Sequence, residues 1–251
     1  MNKTLTQSMF CIGLLALWEA ASLLKLWPPQ LFPAPAAVFG ALRSGFVDRG
    51  FWVAIAASLN RVVLGYAIGC TIGVPLGLWT AHSRFASDTF GRLFVGLQRL
   101  PSLCWLPLAM LWFGLTEKAI LFLIIIGSLL SIAISVESGL RRIPGIYRMA
   151  GQNLGARGWR LAIHVLLPAS MPHLVAGLKH GWAFEWRGLI SGEMIFVTLG
   201  LGRLLVLGRD RNDVSQIFGV MLLISLGWSV DALCFRALER FLQKRWGVVS
   251  A

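Results

Sequence analysis

The chain has 251 residues, of which 57% are hydrophobic and only 14% are charged, and its mean hydropathy is +0.72. The core of one soluble domain cannot bury this much apolar surface, so the composition predicts that lipid is the solvent for most of the chain. A net charge of +12 raises the alternative of a nucleic-acid partner. Because the Lys and Arg residues lie between and beyond the apolar segments, and not on one basic face, we set that alternative aside.

Six segments of the chain are long and apolar enough to cross a bilayer core of about 30 Å, which requires about 20 residues per helix. We predict membrane-spanning helices at about residues 8–26, 59–81, 93–113, 118–136, 173–199 and 217–235. We expect the first segment to be a retained span and not a cleaved signal, since Glu19 interrupts it and no cleavage site follows. The predicted fold class is an all-α membrane protein with about six transmembrane helices, residues 1–251 forming a single domain.

Prolines and glycines separate these predicted spans. The run WPPQLFPAP ends the first span because its prolines remove backbone donors, and a short interfacial helix is predicted at about residues 36–44. Pro101 and Pro107 interrupt the third span. The amphipathic segment GLGRLLVLGRDRND, before the sixth span, is predicted to be an outer-surface loop or an interfacial helix.

Within the second predicted span, one glycine recurs at every fourth position: Gly65, Gly69, Gly73 and Gly77. Residues with this spacing share one face of a helix, and the absence of side chains there allows a second helix to approach closely. We interpret this face as a helix-packing seam, in preference to a pore lining.

A basic loop follows the fourth predicted span. Between residues 139 and 164 there is no acidic residue and there are five arginines: Arg141, Arg142, Arg148, Arg157 and Arg160. The positive-inside bias of membrane proteins predicts that this loop is cytoplasmic. Counting the spans in both directions from the loop places the N- and C-termini in the cytoplasm as well.

The same loop has the layout of a helix-turn-helix elbow. Residues 146–153 can form a first helix, in which Ala150 and Gly151 are small enough for close packing. Gly155 can adopt the left-handed conformation that ends a helix. Residues 159–167 form a second, more apolar segment that Pro168 would break. The alternative is an ordinary solvated basic loop, so the elbow alone does not establish a docking site.

No residues in the sequence form a recognisable metal or redox site. The cysteines are dispersed through apolar segments: Cys11, Cys70, Cys104 and Cys234. None has CxxC spacing or a neighbouring histidine, so we expect core residues. We interpret His164, His173 and His180 as interface residues and not as ligands.

Several ordered blocks cover about residues 18–247: LFPAPAAVF, SLNRVVLGYAIGCTIGVPLGLWTAHSR, LQRLPSLCWLPLAMLWFGL, the Gly155 loop, and LPASMPHLVAGLKHGWAFEWRGLISGEM followed by GLGRLL. Their order resembles the nitrate, sulfonate and taurine branch of ATP-binding-cassette (ABC) importer permeases. The resemblance implies the type I importer permease (MetI-like) fold, with a cytoplasmic coupling helix in an EAA-like loop at about residues 139–168.

The resemblance also implies which residues of this loop contact an ATPase: Met149, Ala150, Gly151, Leu154, Gly155, Ala156 and Pro168. Met149 departs from the family pattern, which usually has a glutamate at this position. The substitution removes the polar part of that contact, whereas the shape and the hydrophobic part of the docking surface are retained, because methionine is a flexible filler of grooves.

The sequence contains no GxxxxGK[ST] phosphate loop, so ATP and magnesium are expected on a separate subunit and no cofactor on this chain. The resemblance implies a bacterial inner-membrane permease, with no enzymatic activity of its own. Its implied partners are a second copy, two ABC ATPase subunits, an external or periplasmic solute-binding protein and membrane lipid, without nucleic acid. The favoured solute is an oxyanion or a sulfonate, with bicarbonate or a thiamine precursor as alternatives.

Three charged residues of the fifth predicted span are candidates for the translocation pathway: Glu185, Arg187 and Glu193. A charge in lipid costs about 2.5–3.5 kcal/mol, so such side chains face a partner, water or a pathway. Glu185 and Arg187 point about 200° apart on a helix and cannot pair. Arg187 is the candidate for attracting an anion; the alternative is a salt bridge to Asp231, Glu137 or a second copy. Glu193 matches a glutamate common in the family and can instead be structural.

The sequence lacks the features of two other function classes. A secondary transporter or channel requires internal symmetry and a discontinuous-helix ion site, and the sequence has neither. A membrane enzyme requires a cluster of catalytic groups at one depth, whereas the glutamates and histidines of this chain are dispersed.

Overall fold

The structure is a computed structural model that describes residues 3–25, 27–28, 30–47, 50–196 and 198–246. All regular elements in these ranges are helical, which confirms the predicted all-α class. In chain order the helices are α1 (Lys3–Leu23), α2 (Pro35–Val47), α3 (Gly50–His82), α4 (Arg84–Ala86), α5 (Arg92–Gln98), α6 (Leu106–Phe113), α7 (Glu117–Arg141), α8 (Gly145–Asn153), α9 (Gly158–Leu161), α10 (Leu167–Ala169), α11 (Met171–Ile195), α12 (Leu201–Asp210) and α13 (Val214–Trp246).

The chain divides into two compact units. Unit 1 consists of Met1–Ser58 and Leu199–Leu226, and unit 2 of Leu59–Thr198 and Gly227–Ala251. Helices α3 and α13 each contribute residues to both units.

Unit 1 is held by aromatic packing and by hydrogen bonds between side chains and backbone groups. The indole of Trp18 packs against Phe32 and Phe218, with ring centroids 6.4 and 5.8 Å away, and its Nε1 donates to the Pro33 carbonyl at 3.0 Å. The buried Ser58 hydroxyl accepts from the backbone N–H of Leu201 at 2.9 Å. Helix α12 is amphipathic, as its sequence predicted, and buries Leu201 and Val206.

Unit 2 is built around α7, which packs between α3 and α11. One core cluster joins the second half of α7 to α3, α9 and α11 through buried aliphatic side chains: Leu78, Ile132, Val136, Leu140, Leu161, Leu166 and Leu174. Tyr66 of α3 packs edge-on against Trp182 of α11 and donates a hydrogen bond to the Leu178 carbonyl at 2.9 Å. The three long helices therefore form one packed bundle.

The apolar segments coincide with helices, although not every predicted span is one straight helix. Over the described residues, α3 and α7 are long and apolar enough to cross a membrane on their own. Two further pairs qualify only as bent spans, residues 84–98 with 102–113 and residues 158–169 with 174–195, at angles of 103° and 78°. Shorter apolar helical segments cover residues 9–23 and 214–227. The second predicted span begins at Gly50 rather than near residue 59.

The third predicted span is a broken helix pair and not one straight helix. Helix α5 ends at Gln98, the chain turns at residues 99–101, and a 3-10 turn at Ser102–Trp105 leads into α6. Pro101 ends the first part because it has no N–H to continue the helix. Pro107 lies in the first turn of α6, where the N–H has no partner in any case, so it does not interrupt the helix.

Candidate functional site

The predicted elbow is present at residues 145–169. Helix α8 runs from Gly145 to Asn153 and ends in a Schellman motif, in which the Ala156 N–H bonds the Gly151 carbonyl and the Gly155 N–H bonds the Gln152 carbonyl, both at 2.9 Å. Gly155 has a φ of +84°, in the left-handed region that its position in the sequence predicted. The turn is therefore defined by local backbone geometry.

The first arm of the elbow, which consists of α8 and the turn after it, exposes apolar side chains. Leu154 is 88% exposed, Ile146 65% and Met149 59%. Ala150 and Gly155 are also exposed, whereas Gly151 is buried and faces Leu161 and Val165, where a Cβ atom would overlap the Leu161 side chain. Arg148, Arg157 and Arg160 are exposed on the same elbow. The surface offered to solvent is thus an apolar ridge flanked by positive charge.

The second arm of the elbow, residues 158–169, connects α8 to the helix bundle. Helix α9 passes through a π turn at Ala162–Leu166 into the short α10, so the helix continues through Pro168 and bends only at Ser170. This differs from the break predicted at Pro168. The proline directly follows the π turn, where the regular hydrogen-bond ladder of the helix is already interrupted. Pro168 and Ala156 are half-buried, and Ala156 packs against the core cluster of unit 2. The Trp159 ring stacks on His82 with centroids 6.0 Å apart.

The four glycines of α3 all face α7. A Cβ atom placed on each of them would overlap or crowd a specific group of α7: Gly65 with Ile124, Gly69 with Ser128, Gly73 with the Leu129 carbonyl and Gly77 with Val136. A second glycine face that packs on α7 belongs to α11 and comprises Gly177, Gly181, Gly188 and Gly192. Sequence reasoning missed this second face because its spacing of four, seven and four residues is less regular.

A buried ion-pair network lies at the other end of the bundle. Arg61 of α3 donates to Glu193 of α11 at 2.8 Å and to Glu117 at the start of α7 at 2.7 Å. The Glu193 side chain is fully buried, the Arg61 side chain is 8% exposed and that of Glu117 is 66% exposed. Glu193, predicted as a pathway residue, contacts Arg61, and Arg61 connects α3, α7 and α11. Sequence reasoning missed Arg61, although a lone arginine within an apolar span indicates a buried partner.

Glu185 and Arg187 point in different directions, as predicted from their helical spacing. Glu185 is fully buried beside Ser128 of α7. Arg187 is exposed, and its guanidinium lies 5.5 Å from the ring centroid of Phe184. Glu137, one suggested partner of Arg187, instead accepts from the Ser87 hydroxyl and pairs with Arg141 at 3.3 Å. The side chain of Asp231, the other suggested partner, lies outside the described residues, as does that of His173.

The described residues bring together no group of three His, Cys, Asp or Glu side chains able to hold a metal ion. The Nδ1 atom of His164 lies 3.2 Å from the backbone carbonyl oxygen of Arg160. The arrangement can transmit a movement. The exposed α8 is joined through the packed second arm to the bundle of α3, α7 and α11.

Residues 73–248 match the model of one protein family, described as the binding-protein-dependent transport system inner membrane component. The chain belongs to this family. The match includes the elbow, the glycine face of α11 and Glu193. It confirms the prediction of an ABC importer permease, a membrane-embedded transport subunit with a pathway for a small solute.

Several relatives of this permease match over most of its length. It is 28% identical over 242 residues to the taurine transport system permease protein TauC of Escherichia coli, which covers 94% of this chain and 88% of TauC. It is 29% identical over 250 residues to the bicarbonate transport system permease protein CmpB of Synechococcus elongatus, covering 94% and 86%. The nitrate import permease protein NrtB of Synechocystis sp. is 27% identical over 183 residues, covering 73% and 66%.

Among solved structures, the permease resembles a chain from inward-facing conformations of the MetNI methionine ABC transporter. The TM-score is 0.67 with 19% identity, and the match covers 78% of this chain and 95% of the other. At this identity the likeness concerns the fold alone, and it confirms the predicted MetI-like architecture.

Proposed function

We propose that two copies of this permease form the import pathway for a small oxyanion or sulfonate, and that separate ATPase subunits drive transport through the α8 elbow. The ATP and the Mg²⁺ bind to the ATPase, and a solute-binding protein delivers the cargo from outside. The six predicted spans lie in a bacterial inner membrane, with the elbow and both termini in the cytoplasm.

The observation that carries this proposal is the exposed apolar ridge of α8. Leu154, Met149 and Ile146 are all more than half exposed on a short helix that has positive charge around it. Exposed contiguous apolar side chains rimmed by polar ones mark protein-binding surfaces. The basic residues of the elbow support a cytoplasmic position, where a soluble ATPase is the available partner.

The packing of the elbow supports its role as a lever. Gly151 of the first arm fits against Leu161 and Val165 of the second arm, and Leu161 belongs to the core cluster that includes Leu140 at the end of α7. A displacement of α8 is therefore transmitted to α7 and α11 as a movement of packed helices. ATP-driven closure of two ATPases would bring two elbows together and switch the bundles between two packed states.

The solute class is supported by two independent observations. The names of the relatives refer to taurine, which is a sulfonate, to nitrate and to bicarbonate, and all three are small oxygen-rich anions or carry such a group. Within this chain, Arg187 is an exposed positive charge in the interior of α11.

The test is ATP-dependent uptake in proteoliposomes. The permease is reconstituted with its ATPase, with the solute-binding protein in the external medium, and uptake of labelled taurine, nitrate and bicarbonate is measured with and without ATP. We expect uptake of at least one of these anions only when ATP and the ATPase are both present. Uptake by the permease alone would contradict the proposal, and so would a complete system that hydrolyses ATP but moves none of the three.

A further inference from the structure

A cavity of about 330 Å³ lies in unit 2 where the third predicted span is broken. Residues 97–102 form one wall, including the turn between α5 and the 3-10 turn. Helix α7 contributes Leu123, Ile126 and Gly127, and α11 contributes Phe184 and Arg187. Non-helical backbone at membrane depth is tolerated where it is buried in protein or lines a cavity, and the turn at residues 99–101 lines this one.

Two positively charged side chains line the cavity, Arg99 from the turn and Arg187 from α11. Both residues are exposed, and over the described part of the chain neither forms an ion pair with an acidic side chain. A charge at membrane depth costs about 2.5–3.5 kcal/mol unless it meets a partner, water or a ligand. Two such charges on one cavity therefore indicate an anionic ligand.

The cavity has a polar side and an apolar side. Gln98 and Ser102 lie beside Arg99 in the sequence, and the Gln98 amide is fixed by a hydrogen bond from its Nε2 to the Ser131 hydroxyl at 2.9 Å. The wall from α7 is aliphatic. A bare inorganic oxyanion would leave the aliphatic wall without contacts, whereas an organic anion with a short hydrocarbon chain matches both sides.

We propose that this cavity binds a short-chain organic sulfonate, with the sulfonate oxygens at Arg99 and Arg187 and the hydrocarbon chain against Leu123 and Ile126. This inference rests on the proposed import of a small anion and assigns its binding site. Guanidinium groups present forked donors that suit an oxyanion with several acceptor oxygens. The volume lies at the lower end of the range for ligand pockets, which favours a small solute.

Gly127 provides a way to alter the apolar side of the site alone. A Cβ atom added at Gly127 meets nothing within 4 Å, so a larger side chain there can extend into the cavity without displacing its neighbours. Replacing Gly127 by leucine therefore shortens the space for the hydrocarbon chain and leaves both arginines in place.

The experiment uses the permease–ATPase complex in nanodiscs and measures binding of butanesulfonate, methanesulfonate and nitrate by calorimetry. We expect Arg187→Gln and Arg99→Gln each to weaken butanesulfonate binding at least ten-fold. The matched control is Arg92→Gln, an exposed arginine of α5 that pairs with Asp88 and lies outside the cavity, and we expect it to change binding less than two-fold. Gly127→Leu should weaken butanesulfonate binding at least ten-fold while methanesulfonate binding changes less than three-fold.

Butanesulfonate binding that is unchanged in both arginine variants would overturn the site. Nitrate binding as tightly as butanesulfonate, or a Gly127→Leu variant that does not discriminate by chain length, would overturn the assignment of an organic tail. These results are separable from failure of the proposed function. If the complete wild-type system imports an anion with ATP while the arginine variants import it equally well, only the site assignment is wrong.

Discussion

The two ends of α7 differ in the kind of side chain that they bury and expose. At its first residue, Glu117 joins Arg61 and the fully buried Glu193 in an ion-pair network. After its last turn, the chain enters the α8 elbow, where Leu154 and Met149 are exposed. The helix has 25 residues, so the two regions are separated by roughly 37 Å. Charge is buried at one end, and apolar surface is exposed at the other.

This difference shows at which end of α7 the side chains find their partners within the chain. The carboxylate of Glu193 and the guanidinium of Arg61 satisfy each other, so this end needs no further partner to remain folded. The apolar ridge of α8 is exposed and has no such partner within the described residues. Changes at the ion-pair end should therefore alter stability, and changes at the elbow should alter coupling.

The largest expected effect is loss of stability when the buried ion pair is broken. Arg61→Met leaves the fully buried Glu193 without its counter-charge, and removal of one partner of a buried pair costs about 3–5 kcal/mol. We expect a corresponding fall in the free energy of unfolding, measured by denaturant titration of the purified permease in detergent micelles.

Two further variants sharpen this prediction. The double variant Arg61→Met/Glu193→Met should recover most of the loss, since an apolar pair can replace a buried ion pair. Glu117→Gln is the matched control, because the Glu117 side chain is 66% exposed and its pair with Arg61 should contribute less than about 1 kcal/mol. If Arg61→Met and Glu117→Gln lowered the free energy of unfolding equally, burial of the ion pair would not determine its contribution to stability.

A smaller loss is expected at the glycine seam between α3 and α7. Gly69→Leu places a side chain where Ser128 already lies, and overpacking of this kind costs about 1–3 kcal/mol. The control Gly96→Ala lies on α5 with nothing within 4 Å of its added Cβ, so its stability should be unchanged or slightly higher. Thermal unfolding monitored by size-exclusion chromatography distinguishes the two. A stable Gly69→Leu protein would count against close packing at this face.

At the elbow, we expect a functional effect with little loss of stability. Gly155→Val forces a β-branched residue into a φ of +84°, which costs about 1–2 kcal/mol and reshapes the turn. ATP hydrolysis should continue in the assembled complex while uptake falls at least ten-fold. Gly145→Val is the control, because Gly145 is equally open but has no positive φ, and its uptake should stay within two-fold of wild type.

The smallest expected effect is at Met149. Met149→Glu introduces the acidic residue that the family usually has here, on a side chain that is 59% exposed. We expect the affinity of the permease for its ATPase, measured by biolayer interferometry in nanodiscs, to rise by two- to ten-fold. Met149→Gln, with a similar shape and no charge, should leave the affinity unchanged. A fall in affinity for Met149→Glu would show that the docking surface of this permease is adapted to an apolar contact.

The parts of the fold that could be predicted are those set by local chemistry. The spacing of Gly65, Gly69, Gly73 and Gly77 predicts that they share one face, and Gly155 predicts the left-handed turn; the structure has both. The length of the apolar segments gave the positions of the long helices. These features depend on periodicity and on backbone sterics within a few residues.

The parts that could not be predicted depend on contacts between distant segments. Arg61 and Glu193 are 132 residues apart, so their pairing appears only when α3 and α11 are packed on α7. The arginine-lined cavity combines residues of three segments, and Pro101 predicts that the helix ends there but not the 103° bend between the two parts of the helix pair. Proline indicates that a helix stops, but tertiary packing determines the direction in which the chain continues.

The most direct test of the account is a photo-crosslinking comparison of two exposed leucines. Leu154 on the elbow is 88% exposed and Leu111 on α6 is 79% exposed, so a benzophenone amino acid is tolerated at either position. In membranes that contain the assembled transporter, we expect position 154 to crosslink to the ATPase subunit and position 111 to crosslink to lipid or to a membrane-embedded chain. A crosslink from position 111 to the ATPase, or none from position 154, would contradict the proposal that α8 receives the work of ATP hydrolysis.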